Sequence, residues 1–205
     1  MNRLKTALAT VALALTLGAC ASTPPAPSIE PRLAAAVSSE VRPMADRARD
    51  EDRLPAENLA FWGLKPGMAI LEVQPGGGYW TAILAPFARD TGGTFSATAP
   101  VVTGDNVSQA ARDARANFER QFVTPGTFGP IRLVDWGATA APLPAASYDF
   151  ILTSRSVHGW IRGNSFARNM GQFFAALKPG GILAVEHHRA NPDVTDPARM
   201  GETGY

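Results

Sequence analysis

The sequence predicts an α/β fold, a doubly wound and mostly parallel sheet with helices on both faces. Three observations predict it. Ile70 to Leu84 reads as a buried strand, a turn at Gly76-Gly77-Gly78, and an amphipathic helix. Further apolar strand runs follow, alternating with helical stretches, which is the pattern of a parallel sheet. Lys178-Pro179-Gly180-Gly181 ends a helical run immediately before another apolar run, Ile182 to Glu186.

The first elements are a processing signal and a tether. Asn2-Arg3-Leu4-Lys5 is basic, and Thr6 to Thr16 is an apolar run too short to span a bilayer. Leu17-Gly18-Ala19-Cys20 resembles a bacterial lipoprotein box. That resemblance implies cleavage before Cys20, acylation of Cys20, and a lipid-anchored, periplasm-facing protein of the cell envelope. Ala21 in the next position points to the outer membrane. Cys20 is the only cysteine, so no disulfide framework exists. Ala21 to Pro31 is small and proline-rich, a flexible tether. The expected organisation is a signal peptide over 1–19, a tether over 20–40 and a domain over 41–205.

Leu33 to Val37 opens the first helix. Asp46 to Arg53 alternates charges and reads as a solvated helix face. Pro55 to Gly63 continues as an amphipathic helix, with Leu59, Phe61 and Trp62 as packing residues, and Lys65-Pro66-Gly67 turns into the first strand. Glu72 closes that strand. A strand ending in glycines at a helix N-terminus lets a ligand approach the backbone and its free N–H groups. Gly93 to Ala99 reads as the second strand, Ile131 to Trp136 as the third, and Tyr148 onward as the fourth with its exit loop to Trp160. Asn164 to Leu177 reads as a helix capped by Asn164 or Ser165. Crossovers should be right-handed, with the ligand at the carboxyl ends of the strands.

Acid-x-x-x-Gly-x-Gly, formed by Glu72, Gly76 and Gly78, resembles the first motif of class I S-adenosylmethionine (SAM)-dependent methyltransferases. Gln74 stands where that motif has its first glycine, toward the methionine end of the cofactor. The wording Leu-Glu-Val-x-x-Gly-x-Gly-Tyr-x-Thr-Ala also looks like the corresponding segment of protein isoaspartate methyltransferases. Leu177-Lys178-Pro179-Gly180-Gly181-Ile182-Leu183 is a frequent phrase of class I enzymes. The resemblance covers about Arg47 to Arg189. It is closest to a bacterial predicted-methyltransferase family, on Ala45 to Asp50 and His187 to Ala190. A nicotinamide or flavin dinucleotide fold fits less well, because Thr81 occupies its third glycine position.

The resemblance implies a Rossmann-like sheet and assigns roles. The backbone from Gly76 through Gly77 and Gly78 to Tyr79 meets the amino-acid portion of SAM. Glu72 orients the turn or reaches the cofactor ammonium, with Gln74 beside it. Asp135 and Trp136 stand at the adenine. Ser154 and Arg155 line the cofactor's edge and the acceptor side, and His158 is the candidate catalytic base. The acid that grips the ribose hydroxyls is replaced by Thr98 and Ala99, with Asp105 a few residues on as a substitute. A full class I sheet also ends in a β-hairpin. No further apolar strand runs follow Glu186, so the domain is expected to lack it.

The formal net charge is +1 with no basic stripe, which argues against nucleic acid as the main partner. His158, His187 and His188 are the only histidines, and adjacent His187 and His188 on an extended strand point to opposite faces, so no metal site is expected. Ser154 and Ser156 near His158 lack the Gly-x-Ser-x-Gly elbow of a hydrolase. Tyr79, Trp80, Trp136 and Trp160 all follow strands, and two of the four are expected to line a site. Two functions stay open: SAM-dependent methyl transfer to a small-molecule acceptor, or non-catalytic ligand binding by a lipoprotein on the same scaffold.

Overall fold

The computed structural model describes residues 30–189 and Arg199. The expected signal, the expected acylation site Cys20 and the first part of the expected tether lie outside the described residues, as does most of the polar run after 189.

The sheet has five parallel strands: β1 (Ala69–Val73), β2 (Thr94–Ala99), β3 (Arg132–Asp135), β4 (Tyr148–Ser154) and β5 (Leu177–Glu186). Their order is β3-β2-β1-β4-β5. The chain runs outward from β1 through β2 to β3, then returns to the other side of β1 for β4. That reversal leaves a crevice above the carboxyl ends of β1, β2 and β4, where ligands bind in open α/β sheets.

The inner strands β1, β2 and β4 bury two faces, as a central parallel strand must. Ile70, Phe95, Phe150 and Leu152 pack into one apolar cluster, and Leu71, Val73 and Ile151 into the other. The first cluster is covered by α1 (Pro31–Ser38), α4 (Pro55–Phe61) and α5 (Thr81–Asp90). The second is covered by α7 (Val157–Arg162) and α8 (Phe166–Ala176). Short helices α2 (Met44–Arg47) and α3 (Asp50–Arg53) lie between α1 and α4 in the chain.

Several boundaries differ from the expectation. Helix α1 includes Leu33 to Val37, read as opening the first helix, and so takes up part of the 20–40 segment read as tether, because Leu33 and Ala36 bury an apolar face and Glu30 accepts from the Leu33 amide at 2.9 Å. Phe61 is 78% exposed and packs nothing, while Leu59 on the same helix is fully buried. Ser165 precedes α8 but makes no side-chain cap, and Asn164 takes a left-handed φ of +48°. The glycine-proline turn before the fifth strand is absorbed as a bulge: Tyr148 pairs with Leu177 and Phe150 with Ile182. Between β2 and β3 the chain forms α6 (Gln109–Phe118), capped by Ser108, and a π-helical turn over Glu119–Val123. Sequence reading assigned no element there. Alanines and polar residues make up nearly all of α6, and only Phe118 is buried.

Candidate functional site

The turn between β1 and α5 organises the crevice. Gln74, Gly76 and Gly78 have φ of +53°, +57° and +80°, so the backbone reverses through left-handed conformations. Two of the three are glycines for that reason. A Cβ on Gly78 would lie 2.0 Å from the ring of Phe122, so the π-helical turn packs directly against this backbone. Above Gly76 and Gly77 the opposite holds: no heavy atom comes within 4 Å of where a Cβ would stand. The backbone there borders open space.

Gln74 tolerates its left-handed φ because it is held twice. Its amide donates to Thr98 Oγ1 at 2.8 Å, and its Oε1 accepts from Trp160 Nε1 at 3.0 Å. The side chain is therefore tied back to α7. Thr98, at the place where an acid was expected, serves the turn.

Two lobes meet at Gln74, Pro75 and Gly76. The first, about 390 Å³, is walled by Thr98, Ala99, Pro100, Ala114, Phe118, Trp136 and Gly137, with Arg115 at its edge. It is mostly apolar and suits a flat heteroaromatic group. Trp136 lines it as expected, stacked on Phe173 behind. Asp135 does not. Its carboxylate pairs with Arg115, is 49% exposed, and faces a separate depression with Val101 and Pro142. The strand alternation that turns Trp136 inward turns Asp135 away. Asp105 is not among the residues that line this lobe either.

The second lobe, about 310 Å³, is lined by Asp46, Arg49, Arg53, Glu72, Tyr79, Trp80, Ser154 and Arg155. Glu72 is 2% exposed, and its one hydrogen bond comes from Thr81 Oγ1 at 2.6 Å. Burial pushes its carboxyl up to about 8, and the Thr81 bond offsets this only in part. At neutral pH it is a neutral acid beside the glycine turn.

The wall of this lobe is a polar network. Asp50 accepts from Arg42 at 2.6 and 2.7 Å and from the Tyr79 hydroxyl at 2.7 Å. Burial raises the Asp50 carboxyl, but these bonds outweigh it and hold it below the usual carboxylate range. Burial, then the same bond to Asp50, pushes the Tyr79 phenol far above its ordinary value, so it stays a donor. Arg49 and Arg53 sit 5.0 and 4.4 Å from the Tyr79 ring centre. Glu186, at the end of β5, accepts from Trp80 Nε1 at 2.9 Å and from Ser154 Oγ, with Arg53 at 3.9 Å.

Tyr79, Trp80 and Trp136 thus line the crevice, whereas Trp160 acts on it through Gln74. His158 lines neither lobe. It stacks on His187, ring centres 5.3 Å apart and 8° from parallel, beyond the ends of β4 and β5. Burial, then His158, His188 and Arg155, holds His187 below the ordinary imidazole value. Among the described residues no group of three His, Cys, Asp or Glu is placed to hold a metal.

Sequence reasoning missed Arg49, Arg53 and Glu186. The available signal was the four-residue spacing of Asp46 with Asp50 and of Arg49 with Arg53, read as a solvated surface. Nothing local in the sequence shows that Tyr79, 26 residues after Arg53, supplies the face on which the arginines rest.

A family described as methyltransferase domain matches residues 46–202 of this chain. A SAM-dependent methyltransferase from Aquifex aeolicus superposes with a TM-score of 0.51 at 20% identity, covering 74% of this chain and 73% of that one. One from Methanosarcina mazei gives 0.46 at 19% identity, over 68% and 59%. No curated protein sequence matches the chain.

Proposed function

From the premise that this chain belongs to the methyltransferase-domain family, we propose that it transfers a methyl group from SAM to a small-molecule acceptor. The observation that carries the reading is the two-lobed crevice astride the glycine turn. An apolar lobe suits an adenine, a polar lobe suits an amino acid, and the open backbone of Gly76 and Gly77 lies between them.

The residues present fit the group. Trp136 and Phe118 wall the base. Glu72, neutral when its lobe is empty of cations, ionises against an ammonium and holds it. Arg53 is mostly buried, and its nearest acid is the 3.9 Å contact with Glu186, so its donors remain for a carboxylate. The cofactor, when bound, supplies a methyl group on a sulfonium. The chain contributes orientation: rigid turn, fixed charges and aromatic walls hold donor and acceptor in line, which is worth several kcal/mol of barrier. His158, the candidate base, lies outside both lobes and stacks on His187.

We extend the reading to placement: the lipoprotein-box resemblance at Cys20 supports an envelope anchor, with the crevice facing the periplasm. One observation favours the non-catalytic alternative, the absence of an acid at the end of β2, where Thr98 serves the turn instead.

Calorimetric titration of the full chain with SAM and with its demethylated product tests the cofactor reading. The expected outcome is saturable binding of both. Gly76→Val should weaken it about tenfold or more, because a branched side chain would strain a left-handed backbone and fill the open space. A folded protein that binds neither would sink the enzyme reading.

A further inference from the structure

Resting on that cofactor reading, which leaves Arg53 to the cofactor's carboxylate, we propose that the methyl acceptor carries an oxyanion, a carboxylate or phosphate, held by Arg155 and Arg49 of the polar lobe.

The charge inventory of the lobe carries this. Arg49, Arg53 and Arg155 all line it. Of the acids nearby, Asp50 is consumed by Arg42 and the Tyr79 hydroxyl. Glu72 is buried and, with its carboxyl at about 8, brings no charge at neutral pH. Asp46 pairs with Arg49 at 3.1 Å. Glu186 accepts from Trp80 and Ser154 and reaches Arg53 only at 3.9 Å. Three guanidinium groups therefore face two carboxylates, an excess of one positive charge, in a protein whose whole formal charge is +1. Arg155 forms no ion pair among the described residues.

Loading the cofactor does not remove the imbalance. Glu72 ionises against its ammonium and Arg53 takes its carboxylate, so those charges cancel in pairs, and the sulfonium adds one positive charge while Arg155 stays without an acid. A cationic acceptor would enter against like charges in a confined site, where repulsion is screened less than in water. An acceptor with an oxyanion removes the excess instead. The donors are also the right kind. A guanidinium presents a planar fork that matches carboxylate and phosphate oxygens, and such charge-assisted bonds are about twice as strong as neutral ones. Two of the arginines rest on the Tyr79 ring, and the Arg155 backbone, at φ +57°, is fixed by its amide bond to Glu186 O at 2.8 Å. The cationic groups are thus partly ordered before any ligand arrives, which lowers the cost of binding.

The test titrates the full chain, saturated with the demethylated product, with benzoate, phenyl phosphate and the neutral isostere benzamide. The expected result is that at least one oxyanion binds saturably and benzamide binds about tenfold more weakly or not at all. Arg155→Gln should lower the oxyanion's affinity about tenfold more than it lowers that of the demethylated product, and Arg49→Gln should act in the same direction. Equal binding of all three probes, or oxyanion binding indifferent to both substitutions, overturns the proposal. The same titration on cofactor-free protein separates the two readings. Product binding without oxyanion binding overturns this inference alone. Arginine-dependent oxyanion binding without product binding keeps the anion site and sinks the cofactor reading. Binding of neither kind overturns both.

Discussion

The two lobes of the crevice share one turn but are built on opposite principles. The apolar lobe is made of side chains that are themselves buried: Ala99, Phe118 and Trp136 extend the core to the surface. Its charged groups, Arg115, Asp135 and Glu119, sit at the rim and pair in partial exposure. The polar lobe instead drives charge inward. Arg42 has a fully buried side chain, and Asp50 and Glu186 each gather several donors. A flat base needs only shape and apolar contact, whereas a zwitterion needs fixed opposite charges. Buried charges must be paired within the protein or they destabilise it. The binding chemistry of the polar lobe is therefore tied to the stability of the domain, and that of the apolar lobe is not.

The largest expected effect breaks the polar wall. Asp50→Ala leaves the buried Arg42 guanidinium without its bidentate partner and the Tyr79 hydroxyl without its acceptor. Removing one partner of a buried pair costs about 3–5 kcal/mol, since the other charge stays buried. Urea denaturation should show that loss. A cost below about 1 kcal/mol, the range of exposed pairs, would mean that water solvates Arg42 and the contrast between the lobes is false.

A second, pH-dependent effect sharpens the comparison through Glu72. Its folded-state value, about 8, lies above the ordinary 4.5. Between those values the unfolded chain has ionised Glu72 and the folded one has not, so its contribution to stability is full below about 4.5 and is lost as pH rises to about 8. Glu72→Gln should remove that dependence. Relative to the parent, the variant should gain more than about 1.4 kcal/mol, one unit's worth, between pH 5 and pH 8.5 in paired denaturation curves. Parallel curves would show Glu72 already ionised in the empty lobe, which would cancel the excess charge there before any ligand arrives.

The difference between the lobes also explains what was legible in the sequence. β1, its glycine turn, β4 and the Trp136 wall could be read because apolar runs and glycines report local backbone demands. Glu72 and Gly76 were found the same way. The arginine side of the polar lobe could not be read, because charge alternation over Asp46 to Arg53 looks the same on a solvated helix and on one facing a buried tyrosine. What decides between them is a tertiary contact to Tyr79. Asp135 shows the reverse, since its carboxylate lies outside the apolar lobe in this structure. The family resemblance placed both Asp135 and Trp136 at the adenine, but consecutive strand residues face opposite ways. Helix α6 was missed because it carries one large apolar side chain, Phe118, and buries only that residue.

The smallest expected effect is the same acid-to-alanine change placed at the other lobe. Asp135 is 49% exposed, and Arg115 keeps its pair with Glu119 at 3.0 Å when Asp135 is removed. Exposed pairs contribute about 0–1 kcal/mol, so Asp135→Ala should shift the denaturation midpoint little. If the carboxylate faces away from the apolar lobe, affinity for the demethylated product should change less than about threefold, well under 1.4 kcal/mol. A loss of about tenfold or more at unchanged stability would return the carboxylate to the adenine, through a reorientation of the Arg115 pair on binding. The apolar lobe would then also rely on charge, held at its rim until the ligand arrives.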